Sequence, residues 1–236
     1  MNVLSYNIRG GCMSSKRKRV SFLIQSNNID VCFIQETKLH VFNESLACDF
    51  WGNKEVEWTT CNSVGAAGGM VILWRRGALS LNYSFLGKGF VGININWKGV
   101  GYNLVNVYAA CNRAKRLLTW DLLLSKKRSR GGEEWCVVGD FNEVLRREER
   151  IGEGVNRFTK GMEEFRCFVE QMDLVDLNCV GGKFTWFKHN GKAMSRLDRF
   201  LLSKKLVEEW EIFYQRIDKR DISDHAPIRL SVGKLD

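Results

Sequence analysis

The segment WCVVGDFNEV (135–144) runs apolar into Asp140 and Asn142, with Gly139 just before them. The same kind of ending recurs along the chain. The strand-like run 3–8 carries Asn7, 31–37 carries Glu36, and 102–108 closes on Tyr108. Asp224 and His225 precede the last apolar run, and Asp198 interrupts SRLDRFLLS (195–203). Glu36 and Asp224 are hard oxygen ligands, suited to Mg²⁺ or Mn²⁺ rather than zinc. A histidine beside a carboxylate is held in one tautomer and becomes a better proton acceptor. Amides and a phenol donate to oxygens that gain charge in a transition state. Metal, base and neutral donors together suit the attack of water on a phosphoester.

Each residue also has a plainer reading. Gly-Asp-x-Asn can close an Asx-turn, and Glu36 can be a surface carboxylate at a strand exit. Asp198 can pair with Arg196 or Arg199, Tyr108 can fill an interface, and Asp224-His225 can form a turn. The set favours chemistry over these readings, because sheets that gather polar strand ends on one side build a polar cleft on an apolar base. His40 and His189 read as surface residues. No Walker loop, H-E-x-x-H or G-x-S-x-G occurs, which argues against nucleoside-triphosphate, zinc-protease and acyl-transfer chemistry.

The elements that must position these residues are mostly strands. Strand-like runs fall at 3–8, 31–37, 58–64, 68–74, 79–86, 91–97, 102–108, 135–141, 183–189, 195–203 and 227–232. Several alternate on a two-residue period: Ile93, Ile95 and Trp97 face one way, Asn94 and Asn96 the other. Three helices are expected, at 15–27, 113–127 after an Asn112 N-cap, and 159–172. The last places Met162, Phe165, Phe168, Val169 and Met172 on one face. Stretches 65–69 and 86–90 read as Gly-rich hairpin connections. Many strands and few helices imply two sheets packed face to face with helices outside, an α/β sandwich.

Length and composition agree. The 236 residues, 44% of them apolar, can bury a substantial core, and one domain over 1–236 is expected. Eight scattered cysteines lack any C-x-x-C pair and read as reduced thiols of an intracellular protein. No apolar run approaches the roughly 20 residues of a membrane helix, so no membrane partner is expected. The net charge of +9, with basic runs at 16–19 and 126–130, favours polyanions. The run at 16–19 is also a candidate nuclear-localisation patch.

In order, SYNIRG (5–10), IQETK (34–38), NVYA (106–109), GDFN (139–142), FTW (184–186), SRLDRFLLS (195–203) and SDHAPI (223–228) resemble the endonuclease/exonuclease/phosphatase superfamily of DNase I and the exonuclease III-type apurinic endonucleases. Within it, GGMVILW (68–74), FNEVLRREER (141–150) and SRLDRFLLS look most like the endonuclease domain of plant LINE-type (non-LTR) retrotransposons. The resemblance implies a four-layer α/β-sandwich, two mixed β-sheets flanked by helices. It implies that Glu36 is the main metal ligand, helped by Asn7 and Asp224. Asp140 positions or deprotonates the attacking water, Asn142 and Tyr108 bind the scissile phosphate, and His225 touches that phosphate, held by Asp198. Whether Asp140 or His225 is the base stays open.

Three departures qualify this. Arg9 stands where apurinic endonucleases carry an acidic residue near the metal, which thins the metal shell. Ala110-Cys111 follows Tyr108 where many relatives have proline. Ser195 stands where apurinic enzymes have a tryptophan lining the pocket for an extruded abasic sugar, which argues against strict abasic-site selection. The expected activity is Mg²⁺-dependent nicking of double-stranded DNA to leave a 3′-OH, by a monomer acting in the nucleus. Mn²⁺ is the alternative ion. A reverse transcriptase domain, into which LINE proteins normally continue, is read as absent from this chain. The alternatives are a phosphomonoesterase or lipid phosphodiesterase of the same superfamily, and an inactive nucleic-acid-binding remnant.

Overall fold

The computed structural model describes residues 1–65, 68–97, 99–152, 158–212 and 214–230. The elements in chain order are β1 (Val3–Asn7), α1 (Ser14–Ser26), β2 (Val31–Gln35), α2 (Glu44–Trp51), β3 (Val56–Cys61), β4 (Met70–Arg75), β5 (Ser80–Gly87), β6 (Phe90–Trp97), β7 (Val100–Tyr108), α3 (Arg113–Arg128), β8 (Glu134–Asp140), β9 (Arg150–Ile151), α4 (Lys160–Gln171), β10 (Leu174–Asp176), β11 (Cys179–Val180), β12 (Trp186–Phe187), β13 (Met194–Ser195), β14 (Asp198–Ser203), α5 (Lys204–Glu209), β15 (Gln215–Ile217) and β16 (Ile228–Leu230). One sheet has the order β11-β15-β16-β1-β2-β4-β3 and the other β10-β14-β8-β7-β6-β5. Both are mixed. β1 runs parallel to β2 and β7 parallel to β8, while most other neighbours are antiparallel.

Three apolar layers make this a four-layer sandwich. Val3, Val31, Phe33 and Ile72 of the first sheet meet Val91, Ile93, Leu104, Val138 and Phe200 of the second. The alternate residues Leu4, Tyr6, Cys32, Ile34 and Val71 face outward onto Val20, Leu23 and Ile24 of α1 and Phe50 of α2. Val105, Val107, Trp135 and Val137 likewise meet Trp120 of α3 and Phe165 and Phe168 of α4. Strands covered on both faces must be apolar at every position, which is why VCFI and WCVV read as unbroken runs. Burying a side chain of this size is worth about 1.5–3 kcal/mol, so these layers dominate the stability.

The expected helices form within a residue or two. The Asn112 side chain accepts from Lys115 N at 3.1 Å, and Thr159 caps α4 by accepting from Met162 N at 3.2 Å. Two short helices were not expected. α2 spans eight residues, capped by Asn43, and α5 only six. Lengths so near two turns leave little periodicity to read. The expected strand at 183–189 shrinks to β12, and 195–203 splits into β13 and β14. β12, β13 and β9 form a small third sheet. Within the expected run 227–232, β16 covers Ile228–Leu230, and 231–232 lie outside the described residues. Ala66 and Ala67 of the first Gly-rich connection also lie outside them, while 86–90 joins β5 to β6 as a tight hairpin. Among the described residues all eight cysteines are free. Cys32 and Cys136 are buried, whereas Cys12, Cys111 and Cys167 are exposed. No helix among the described residues is long and apolar enough to cross a membrane.

Candidate active site

Register brings the polar strand ends to one edge of the sandwich. Parallel pairing sets Asn7 beside Gln35 and Tyr108 beside Asp140, and antiparallel pairing sets Asp198 opposite Asp140. A polar bridge beneath them joins the two sheets. Gln35 donates to Asn106 Oδ1 at 2.7 Å and to Ser5 Oγ at 3.0 Å, while Asn106 donates to the Ile34 and Val71 carbonyls. Buried amides hydrogen-bonded across a sheet interface disfavour slippage of register. The Asp224–His225 pair arrives from the loop before β16. Trp186 bridges His225 in strand fashion, Phe187 N donates to Asp224 O, and Ala226 N to Thr185 O, so β12 straps the segment before β16 in place.

The chain leaves these strands in left-handed turns. Arg9, Glu36 and Asn142 have φ of 49°, 54° and 50°. Each such non-glycine residue costs roughly 1–3 kcal/mol, and such strain collects at functional sites. Gly139 has φ 135°, and a Cβ there would run into the Val107 carbonyl oxygen of the neighbouring strand. Glycine is therefore needed for β8 to lie against β7 while delivering Asp140.

Asp140 is the hub. Its Oδ2 accepts from Asn7 Nδ2 at 2.9 Å and Asn142 Nδ2 at 3.3 Å, and its Oδ1 accepts from Asn142 N at 2.9 Å. His225 Nδ1 lies 2.8 Å from Asp198 Oδ2, and Nε2 lies 3.8 Å from Asp140 Oδ2. Asn7 and Asp140 are 1% exposed, Asp198 2% and His225 5%. Thr185 fixes Asp198 by accepting from the Leu197 and Asp198 amides at 2.9 and 3.0 Å.

Electrostatics separates the roles. Burial, opposed by the His225 charge and helped by that of Asp198, raises Asp140 to about 7. Burial alone would lower His225, but the charges of Asp198 and then Asp140 outweigh it and raise the imidazole to about 9. Burial first, then the charges of Glu36 and Asp140, push the Tyr108 phenol far up, so it stays neutral and keeps its proton to donate.

Glu36, Tyr108, Asp140, Asn142 and His225 line one cavity of about 460 Å³, with Asn7 and Asp198 buried around it. Asp224 instead lines the adjoining cavity. Its Oδ2 takes Arg9 and the Trp186 indole N–H, the latter at 3.1 Å. Burial opposes its ionisation, but the His225 charge, Arg9 and Trp186 hold it below the usual carboxylate range. Arg9 thus does more than displace an acidic group, because it neutralises Asp224 directly. Lys38 does the same for Glu36, with Nζ 3.1 Å from Oε1. Glu36, Asp224 and Asn7 Oδ1 offer oxygen donors only, and the two carboxylates already attract cations, a set that fits a hard divalent ion. Asp140, Asp198 and His225 also bring ligand atoms within 4.8 Å of one another. Both Asp140 oxygens, Asp198 Oδ2 and His225 Nδ1 are engaged in the hydrogen bonds just described, so proton handling suits these residues better than metal ligation. Both amide hydrogens of Asn142 go to Asp140 Oδ2 and, at 2.8 Å, the Ala109 carbonyl, which makes it a brace for Asp140.

Among the described residues, Arg196 and Arg199 form no ion pair with Asp198. They clamp Glu149 and Asp176 in a buried network. The sequence reading missed Arg150 and Trp186 as cavity residues. The aromatic–basic spacing within FTW and RREER was their only signal.

A model described as the Endonuclease/Exonuclease/phosphatase family matches residues 4–225. No curated protein matches the chain. Among solved structures, a 3′ phosphatase from Neisseria bound to a product DNA hairpin has a TM-score of 0.78 and 16% identity, over 99% of this chain and 100% of that one. The endonuclease domain of TRAS1, a telomere-specific non-LTR retrotransposon, has 0.74 and 15%, over 98% and 97%. An AP endonuclease from Archaeoglobus fulgidus has 0.77 and 14%, over 98% and 99%. At these identities the likeness shows the DNase I-like fold. The family match spans nearly the whole chain and unites phosphodiester hydrolases that depend on a divalent metal; the chain belongs to the endonuclease/exonuclease/phosphatase family.

Proposed function

We propose that the chain is a Mg²⁺-dependent endonuclease that nicks double-stranded DNA and leaves a 3′-OH, in the manner of a LINE-type retrotransposon nuclease. The observation that carries this reading is the buried chain Asp198–His225–Asp140–Asn7/Asn142 opening on one cavity lined by Glu36 and Tyr108. Asp140, with its proton affinity raised to near neutrality, accepts the proton of the attacking water. His225, kept cationic by Asp198, holds the phosphate, and the neutral Tyr108 phenol donates to an oxygen that gains charge. Asn7 and Asn142 keep the Asp140 carboxylate aimed. Glu36, with Asp224 and Asn7, would hold a divalent ion, and that ion would supply Lewis acidity. The positive net charge and the likeness to the TRAS1 endonuclease domain support a nucleic-acid substrate and the LINE assignment. Action as a monomer in the nucleus belongs to the same reading.

The test is a supercoiled-plasmid nicking assay with Mg²⁺ or EDTA, comparing wild type with Asp140→Ala and His225→Ala. Each substitution is expected to cost at least ~10²-fold, and the nicked ends should prime a polymerase. Equal nicking by the variants, or none by wild type, defeats the reading. Phosphate release from 3′-phosphorylated ends, or hydrolysis of lipid phosphodiesters without nicking, assigns the site to another branch of the family.

A further inference from the structure

A second cavity, of about 590 Å³, adjoins the first and shares Arg9 and Trp186 with it as walls. Its character is different. Lys16, Lys188, His189 and Arg220 line it, facing only two carboxylates, Asp221 and Asp224. Both are already satisfied: Asp221 takes the Tyr6 hydroxyl and Arg19, and Asp224 takes Arg9 and Trp186. Among the described residues, Lys16, Lys188 and Arg220 form no ion pair. Lys16 Nζ is anchored on the Ile8 carbonyl at 2.6 Å, and the Arg220 guanidinium sits 5.0 Å from the Phe187 ring centroid. Phe187 of β12 therefore backs Arg220. Cations concentrated in a concavity, with its acids neutralised, make a seat for an anion.

We infer that this cavity holds a backbone phosphate of the same strand whose neighbouring phosphodiester occupies the Asp140–His225 cavity. The inference rests on the phosphodiesterase reading and deepens it, by setting the path of the substrate strand across the Trp186 wall. A chain of phosphates can span two contiguous cavities, whereas a small phosphomonoester fills one. Lys188 and Arg220 thereby favour a polynucleotide over a small ester.

The experiment is equilibrium binding of a short duplex oligonucleotide by fluorescence anisotropy, in EDTA, from about 50 to 200 mM salt. Being read without cleavage, its outcome is separate from that of the nicking assay. Each phosphate contact contributes about −0.9 to the log–log slope, so the double variant Lys188→Gln/Arg220→Gln should have a slope shallower by roughly 1–2. Lys54→Gln is the control. It precedes Val56, which pairs with Arg75 at the end of the sheet away from the site, and it should leave the slope unchanged. A second readout needs no variant: bound DNA should protect Lys188, but not Lys54, from acetylation in the wild-type protein. An unchanged slope in the folded double variant, or equal acetylation with and without DNA, overturns the inference. So does loss of binding to phosphatidylserine vesicles with the DNA slope intact, which would give the cavity to a membrane surface.

Discussion

His225 presents Nδ1 to Asp198 at 2.8 Å and Nε2 to Asp140 at 3.8 Å, so one imidazole spans two buried carboxylates. Asp198 is the partner that holds the proton on the ring. Asp198→Asn should therefore lower the proton affinity of His225 and reduce kcat/KM by about 10²-fold. Titration of the His225 ring protons by NMR checks the first part independently of activity. An unmoved titration would mean that Asp198 only fills space.

The same pair governs pH dependence. Activity is expected to rise as Asp140 ionises through about 7 and to fall as His225 loses its proton above about 9. A kcat/KM profile against pH measures both limbs. Stability follows the same proton. Because folding raises His225, its contribution is whole below its ordinary 6.5 and is lost as pH rises through about 9. The deficit of His225→Asn in urea midpoint should therefore narrow between those limits. A deficit that is flat with pH contradicts the raised imidazole.

Glu36 is argued to hold the metal because its carboxylate lines the cavity and already carries Lys38. Glu36→Gln keeps shape and loses charge, so it should raise the Mg²⁺ concentration for half-maximal nicking by about tenfold or more. A wild-type metal requirement in this variant would move the ion elsewhere, Asp140, Asp198 and His225 being the next candidates.

Much of this arrangement was legible in the sequence, for physical reasons. Doubly covered strands such as VCFI and WCVV must be apolar throughout, and α4 shows its buried face at Met162, Phe165, Phe168 and Val169. The strand-end residues stood out because they break such runs. Less legible was anything decided by partners distant in sequence. Arg196 and Arg199 flank Asp198 in the chain, yet their side chains reach Glu149 and Asp176. Asp224 lies next to His225 but is drawn into the neighbouring cavity by Arg9 and Trp186. β9, β11 and β13 have only two residues each, too few for any period to register.

Gly139 gives a backbone test. Its φ of 135° and its approach to the Val107 carbonyl both forbid a side chain. Gly139→Ala should cost roughly 2–4 kcal/mol. At about 2–4 °C per kcal/mol for a chain of this size, that predicts a clear fall in Tm by calorimetry. Because Asp140 follows directly, residual folded protein should also nick poorly. A neutral Gly139→Ala would show that β7 and β8 can part without cost.

Arg199 offers the complementary test of the buried network. It is fully buried, with Nη2 2.9 Å from Glu149 Oε2 and Nη1 3.0 Å from Asp176 Oδ2, and its guanidinium lies 5.5 Å from the Phe165 ring centroid. Arg199→Met retains the volume and leaves the buried Glu149 and the partly buried Asp176 with Arg196 as their one remaining cation in this network. Breaking such a pair from one side costs about 3–5 kcal/mol, because a charge is left without its partner. The pH dependence separates charge from packing. Burial opposes ionisation of Glu149, but the Arg199 charge and hydrogen bond, the Arg196 charge and the Leu145 amide together outweigh it and hold the carboxyl below its ordinary 4.5. That contribution is present above 4.5 and lost as pH falls, so the variant's deficit should shrink on acidification. Urea unfolding of both proteins at neutral pH and at about pH 4 measures this, and an equal deficit at both would leave packing against Phe165 as the whole role of Arg199.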